Sequence, residues 1–148
     1  MKEYTAKELD DIVSGFSERN LEKSLWTHEA HIITAIWYVM NFEKEDAICR
    51  MRSGIISYNL AMGGSNTGQR GYHETMTVFW CEVVHLFVEK HKGASFENHC
   101  SRFLQSPMAD KYFPFQFYSK DYLLSPKARS RFVEPDLAPI SLYANAEN

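Results

Sequence analysis

All five prolines of this chain lie at or beyond Pro107, and four of its seven glycines fall between Gly63 and Gly71. Proline breaks an interior helix and glycine marks turns, so this placement divides the chain more firmly than any motif does. It predicts a helical body to about residue 105, interrupted by one Gly-rich loop, and then an irregular Pro-containing C-terminal segment. The fold class expected is all-α: a single domain, 1–148, built as a bundle of about five main helices. Residues 1–5 and 143–148 are expected to fray.

Hydrophobic spacing supplies the helices. Leu9, Ile12, Val13 and Phe16 share one face of a first helix over about Ala6–Glu18. Thr27 is placed to cap a second running to Asn41. A third covers about Lys44–Met62, with Ala47, Ile48, Met51, Ile55 and Tyr58 recurring at three and four residues. A fourth covers about Tyr72–Lys90, with Met76, Trp80, Val84, Phe87 and Val88 as its inner stripe. Ser95 caps a fifth whose buried side is Phe96, Cys100, Phe103 and Leu104. After Pro107, Tyr112–Tyr118 reads as an extended, packed loop. Ser125–Pro126 opens a short helix that Glu134–Pro135–Asp136 ends, and Pro139, Ile140 and Leu142 should lie along the bundle.

Composition narrows the function classes. The net charge is −3 with scattered Lys and Arg, so neither nucleic acid nor an anionic membrane is an expected partner. The longest apolar runs are far too short to span a bilayer, and the N-terminus lacks the apolar run of a signal peptide, so the expected compartment is the cytoplasm. Cys49, Cys81 and Cys100 form no CxxC motif and no even disulfide set. They are expected to be reduced, buried and structural.

The chemistry concentrates in histidine. In Trp26-Thr27-His28-Glu29-Ala30-His31, His28 aligns with Ile32, Ala35 and Val39 at about 100° per residue, and His31 sits about 60° aside. In Gly71-Tyr72-His73-Glu74-Thr75, His73 aligns with Met76, Trp80, Val84 and Phe87. Short connections make neighbouring helices antiparallel, so the second and fourth run parallel and start at the same end. His28, His31 and His73 are then expected to converge beside Tyr58 and Asn59, under the loop Gly63–Gly71, with Tyr112–Tyr118 delivered to the same end.

Three imidazoles make an acceptable first shell for zinc or iron, with Glu74 or Glu29 as a further ligand or general base. The first expectation is therefore a metal-binding helical protein, with a metal-dependent enzyme as its extension. The HxxH spacing is not HExxH, and no Ser-His-Asp order or nucleophile elbow accompanies it. The alternative is a metal-free small-molecule or anion pocket in which Trp26, Tyr58, Asn59, Arg70 and Tyr118 join the histidines. A third is a structural protein, in which the histidines only satisfy hydrogen bonds and the aromatic surplus makes a homodimer face. His85, His91 and His99 read as surface or helix-end residues.

Together, Trp26–His31, Arg70–Thr75 and Glu134-Pro135-Asp136 resemble an uncharacterised family of small bacterial proteins. The resemblance extends over about residues 20 to 140. It implies a bacterial helical domain and brings no activity with it.

Overall fold

The computed structural model describes residues 2–141, and these contain helices, 3-10 turns and no strand. Five main helices run in order: α1 (Ala6–Ser17), α2 (His28–Asn41), α3 (Lys44–Ala61), α4 (Glu74–Lys90) and α5 (Phe96–Leu104). Two short helices follow, α6 (Lys120–Leu123) and α7 (Pro126–Ser130). The 3-10 turns are Lys23–Leu25, Pro107–Ala109 and Phe113–Gln116.

The starts of these helices are chemically encoded. Thr5 makes a full capping box with Glu8, and Thr27, Ser95 and Ser125 each accept the backbone N–H three residues on. Each such cap satisfies a donor the helix itself leaves orphaned, worth about 1 kcal/mol. Helix α4 is the exception. The sequence expects it to start near Tyr72, yet His73 is extended (φ −130°, ψ 107°) and caps the helix with its own imidazole. Just upstream, Gly71 has φ +83°, and a Cβ there would strike the Ser65 carbonyl oxygen. The Asn66 side chain meanwhile accepts the Tyr72 N–H. The chain therefore leaves the loop two residues too late for Tyr72 to be helical.

Ion pairs fix the helix directions. Lys44, at the start of α3, meets Glu82 midway along α4 at 2.9 Å, and Arg52 further along α3 meets Glu74 at the start of α4 at 2.7 Å. Helices α3 and α4 are thus antiparallel. Helices α2 and α4 begin at the same end, with α2 joined to α3 through residues 42–43 alone.

Phe16, Ile32, Ile33, Ile36, Phe79, Val83, Phe103 and Tyr118 are among the fully buried side chains of the core. Gly54 permits α1 to approach α3, since a Cβ there would stand 2.6 Å from the Phe16 ring. The inner stripe of α4 differs from expectation. Phe79, Val83, Val84 and Phe87 are buried, whereas Met76, Trp80 and Val88 are half-buried. Met76 and Trp80 pack against the core on one side and line a cavity on the other.

Several other expectations are corrected. Tyr112–Tyr118 is not extended: Phe113–Gln116 forms a 3-10 turn with Pro114 in its first positions. His99 is buried at 1% exposure rather than superficial. Cys81 and Cys100 are buried free thiols, but Cys49 is exposed. Near the N-terminus the Tyr4 hydroxyl donates to Glu29, and Thr5 caps α1. Ile140 is partly buried against the core, while Leu142, expected beside it, and the expected frayed end 143–148 lie outside the described residues. No helix among the described residues is long and apolar enough to cross a membrane.

Candidate functional site

A cavity of about 550 Å³ opens where α2 and α4 begin. From α2 come His28, His31, Ile32 and Ala35. From α3 come Met51, Ile55 and Asn59, about one turn apart. Gly71, Tyr72 and His73 lead into Met76, Thr77, Trp80 and Cys81 of α4, and Trp26 and Lys111 complete the wall. Its volume lies within the roughly 300–1,000 Å³ of small-molecule pockets. Among the described lining residues there is no carboxylate, and Lys111 carries the one fixed charge.

The three histidines share this cavity but not one chemistry. His28 Nε2 lies 2.8 Å from the Ala109 carbonyl, and His31 Nδ1 lies 2.7 Å from the Thr27 carbonyl. A carbonyl only accepts, so each of these nitrogens carries the proton. In the neutral rings His28 Nδ1 and His31 Nε2 are then lone-pair acceptors, and neither has a hydrogen-bond partner among the described residues. Burial pushes the His31 imidazole down to about 4, with the hydrogen bond to Thr27 opposing and the nearby His28 assisting. At neutral pH His31 is therefore uncharged. Its ring stacks on Trp26 at 3.8 Å between centroids, and His28 meets Trp80 edge-on at 5.2 Å.

His73 spends both nitrogens on the backbone. Its Nδ1 accepts the Met76 N–H at 3.1 Å, and its Nε2 donates to the Leu123 carbonyl at 2.8 Å. Burial lowers its basicity as well. As a prospective metal ligand it would have to surrender the cap of α4. Among the described residues, no group of three or more His, Cys, Asp and Glu side chains stands together as a metal site would require.

The carboxylates expected to assist the histidines are engaged elsewhere. Glu74 accepts from Arg52 Nε and Nη2 at 2.8 and 2.7 Å and from the Tyr72 hydroxyl. The guanidinium holds its carboxyl below the usual range, and three of its roughly four lone-pair sites are taken by this clamp, which ties α3 to α4. Glu29 accepts the Tyr4 hydroxyl at 2.9 Å and borders a separate hollow with Pro107, Tyr112 and Gln116. Neither lines the cavity, so neither is a general base for it.

The expected ligand-binding residues also divide. Trp26 and Asn59 line the cavity. Tyr58 is buried, with its hydroxyl donating to the Leu21 carbonyl at 2.7 Å. Together with Arg70 it borders a smaller neighbouring hollow. Tyr118 is removed from the site: fully buried beside Phe79, it donates to the Val133 carbonyl at 2.7 Å. What the segment after α5 delivers is Lys111 and the Ala109 carbonyl that orients His28. Lys111 escaped the sequence reading although it directly precedes the aromatic segment placed at this end. Met51 was legible as a core residue of α3, on the same line as Ile55 and Asn59.

No protein-family model matches the chain, and no curated protein or solved structure matches it either.

Proposed function

We infer that this protein binds a small molecule in the cavity between α2, α3 and α4, without a metal ion. The observation that carries this reading is the pair of imidazoles on its wall, each tied to a backbone carbonyl. Each is oriented through one nitrogen, and the neutral ring offers a lone pair from the other. Two acceptors set among Trp26, Trp80, Met51, Met76, Ile32 and Ile55 suit a flat, largely apolar molecule bearing O–H or N–H donors. An organic cation is disfavoured, because no carboxylate is among the described lining residues and the starts of α2 and α4 both carry partial positive charge. A metal-dependent reading requires His73 to abandon the α4 cap, and Glu29 and Glu74 to leave the partners they hold.

The test is a titration with para-ethylphenol and indole, read by tryptophan emission and by thermal melting. Trp26 and Trp80 line the cavity, so a saturable emission change is expected. At a hundred times Kd, binding stabilises a fold by about 2.7 kcal/mol, a rise of roughly 5 to 10 °C for a chain of this size. His28→Leu and His31→Leu should abolish the response, and Glu29→Gln should leave it intact. A flat response to both compounds in the unmodified protein overturns the reading.

A further inference from the structure

A second hollow of about 340 Å³ adjoins the imidazole cavity. The two share Trp26, Asn59 and Gly71 as walls. Their chemistry is opposite in kind. The first is apolar with two acceptors, whereas the second brings Lys23 and Arg70 together with Ser65, and no acidic residue is among its described lining. Neither Lys23 nor Arg70 has an ion-pair partner among the described residues.

The loop that presents Arg70 is tightly built. Thr67 Oγ1 accepts the N–H groups of Gln69 and Arg70, and the Thr67 N–H donates to the Arg70 carbonyl. Asn66 bridges the Asn59 amide and the Tyr72 N–H. Gly71 passes so close to Ser65 that a Cβ has no room. On the other side, Lys23 sits in the 3-10 turn leading to Trp26, whose ring is fixed by stacking on both Phe16 and His31. Two cations on separate segments border one hollow beside an aromatic wall, where an anion could pair with both. Arginine's planar fork pairs best with a carboxylate or phosphate.

We propose that the two hollows form one bipartite site for an aromatic ring compound bearing a tethered oxyanion. The ring occupies the imidazole cavity with its donors toward His28 and His31, and the carboxylate or phosphate reaches past Trp26 to Lys23 and Arg70. This rests on the small-molecule reading above and names the class of ligand it takes.

The test compares para-hydroxyphenylpropanoate with its uncharged amide by isothermal titration calorimetry of the full chain. At low ionic strength the acid should bind at least tenfold more tightly, and added salt should narrow the gap. The paired change Lys23→Gln with Arg70→Gln should bring the acid to the amide's Kd while moving the amide's own Kd less than twofold. Both positions are exposed, so folding should survive. Equal binding of acid and amide by the unmodified protein overturns the proposal and leaves the cavity reading standing. So does an acid preference that survives the paired change and disappears in Lys111→Gln, which would put the anion at the opposite wall. Binding of neither compound removes both.

Discussion

The starts of α2 and α4 are two solutions to one problem, and they leave their histidines with different work. Both helices begin at the same cavity with unsatisfied backbone N–H groups. In α2 the Thr27 hydroxyl takes the Ala30 N–H, so His28 and His31 each need only one backbone carbonyl and keep a nitrogen for something else. In α4 no hydroxyl or carboxylate stands at the cap position, and the His73 ring fills in. A side chain that closes a helix and also holds Leu123 has nothing left to bind a ligand with. Proximity to a pocket therefore does not make a histidine functional. The count of uncommitted nitrogens does.

The strongest way to break this contrast is to remove His73. His73→Ala loses the α4 cap, about 1 kcal/mol, and leaves the Leu123 carbonyl without its donor, a further 1–3 kcal/mol. Chemical denaturation should record a loss of about 3 kcal/mol. His73→Asn restores a cap acceptor and should recover about 1 kcal/mol. If His73→Ala unfolds no more readily than the parent, the imidazole is not the keystone of this end, and its nitrogens become available for ligand chemistry.

Acid sharpens the same contrast. His31 titrates near 4 in the folded chain and near 6.5 when unfolded, so below about pH 6.5 the unfolded state binds the extra proton. Stability from this group is complete above pH 6.5 and is lost as the pH falls toward 4. Between pH 7 and 4.5 the loss should be about 2 kcal/mol. His73 is shifted in the same direction and adds to it, because protonating Nδ1 abolishes the cap. Denaturation curves of His31→Gln should show a shallower pH dependence than the parent. An unchanged slope would mean that His31 is more hydrated than its burial against Trp26 implies.

The helices were readable in the sequence because their signals are local. Thr27, Ser95 and Ser125 cap where hydroxyls precede apolar periodicity, and the Pro and Gly placement separates body from tail. His99 could have been read as buried, since Phe96, His99, Cys100 and Phe103 form an i, i+3, i+4, i+7 stripe. The site was legible only in outline. Helical arithmetic put His73 on the apolar face of α4, but the loop geometry at Gly71 and Asn66 holds it outside the helix. Which nitrogens are free depends on the carbonyls of Ala109 and Leu123, 81 and 50 residues away in the chain. No pattern within a helix encodes those partners. The commitment of Glu74 to Arg52, 22 residues distant, was hidden for the same reason.

The cavity histidines should also prove cheap to lose. His28→Leu removes one hydrogen bond to the Ala109 carbonyl and keeps an apolar side chain against Trp80. Ala109 is half-buried where Leu123 is buried, so water can replace the lost donor; the loss of stability should be about 1 kcal/mol, a third of that expected for His73→Ala, while binding of para-ethylphenol disappears.

Glu29→Gln gives the smallest effect. It keeps an acceptor for the Tyr4 hydroxyl and gives up only a charge near the start of α2. That charge is worth about 0.5 kcal/mol. The variant should melt within about 2 °C of the parent and bind para-ethylphenol unchanged. A carboxylate that faces the Tyr4 hydroxyl rather than the cavity can alter the anchoring of the N-terminus but not the ligand. Weaker ligand binding by Glu29→Gln would mean that this carboxylate acts on the cavity through α2, and the separation between helix-closing and ligand-facing side chains would then fail at α2 as well.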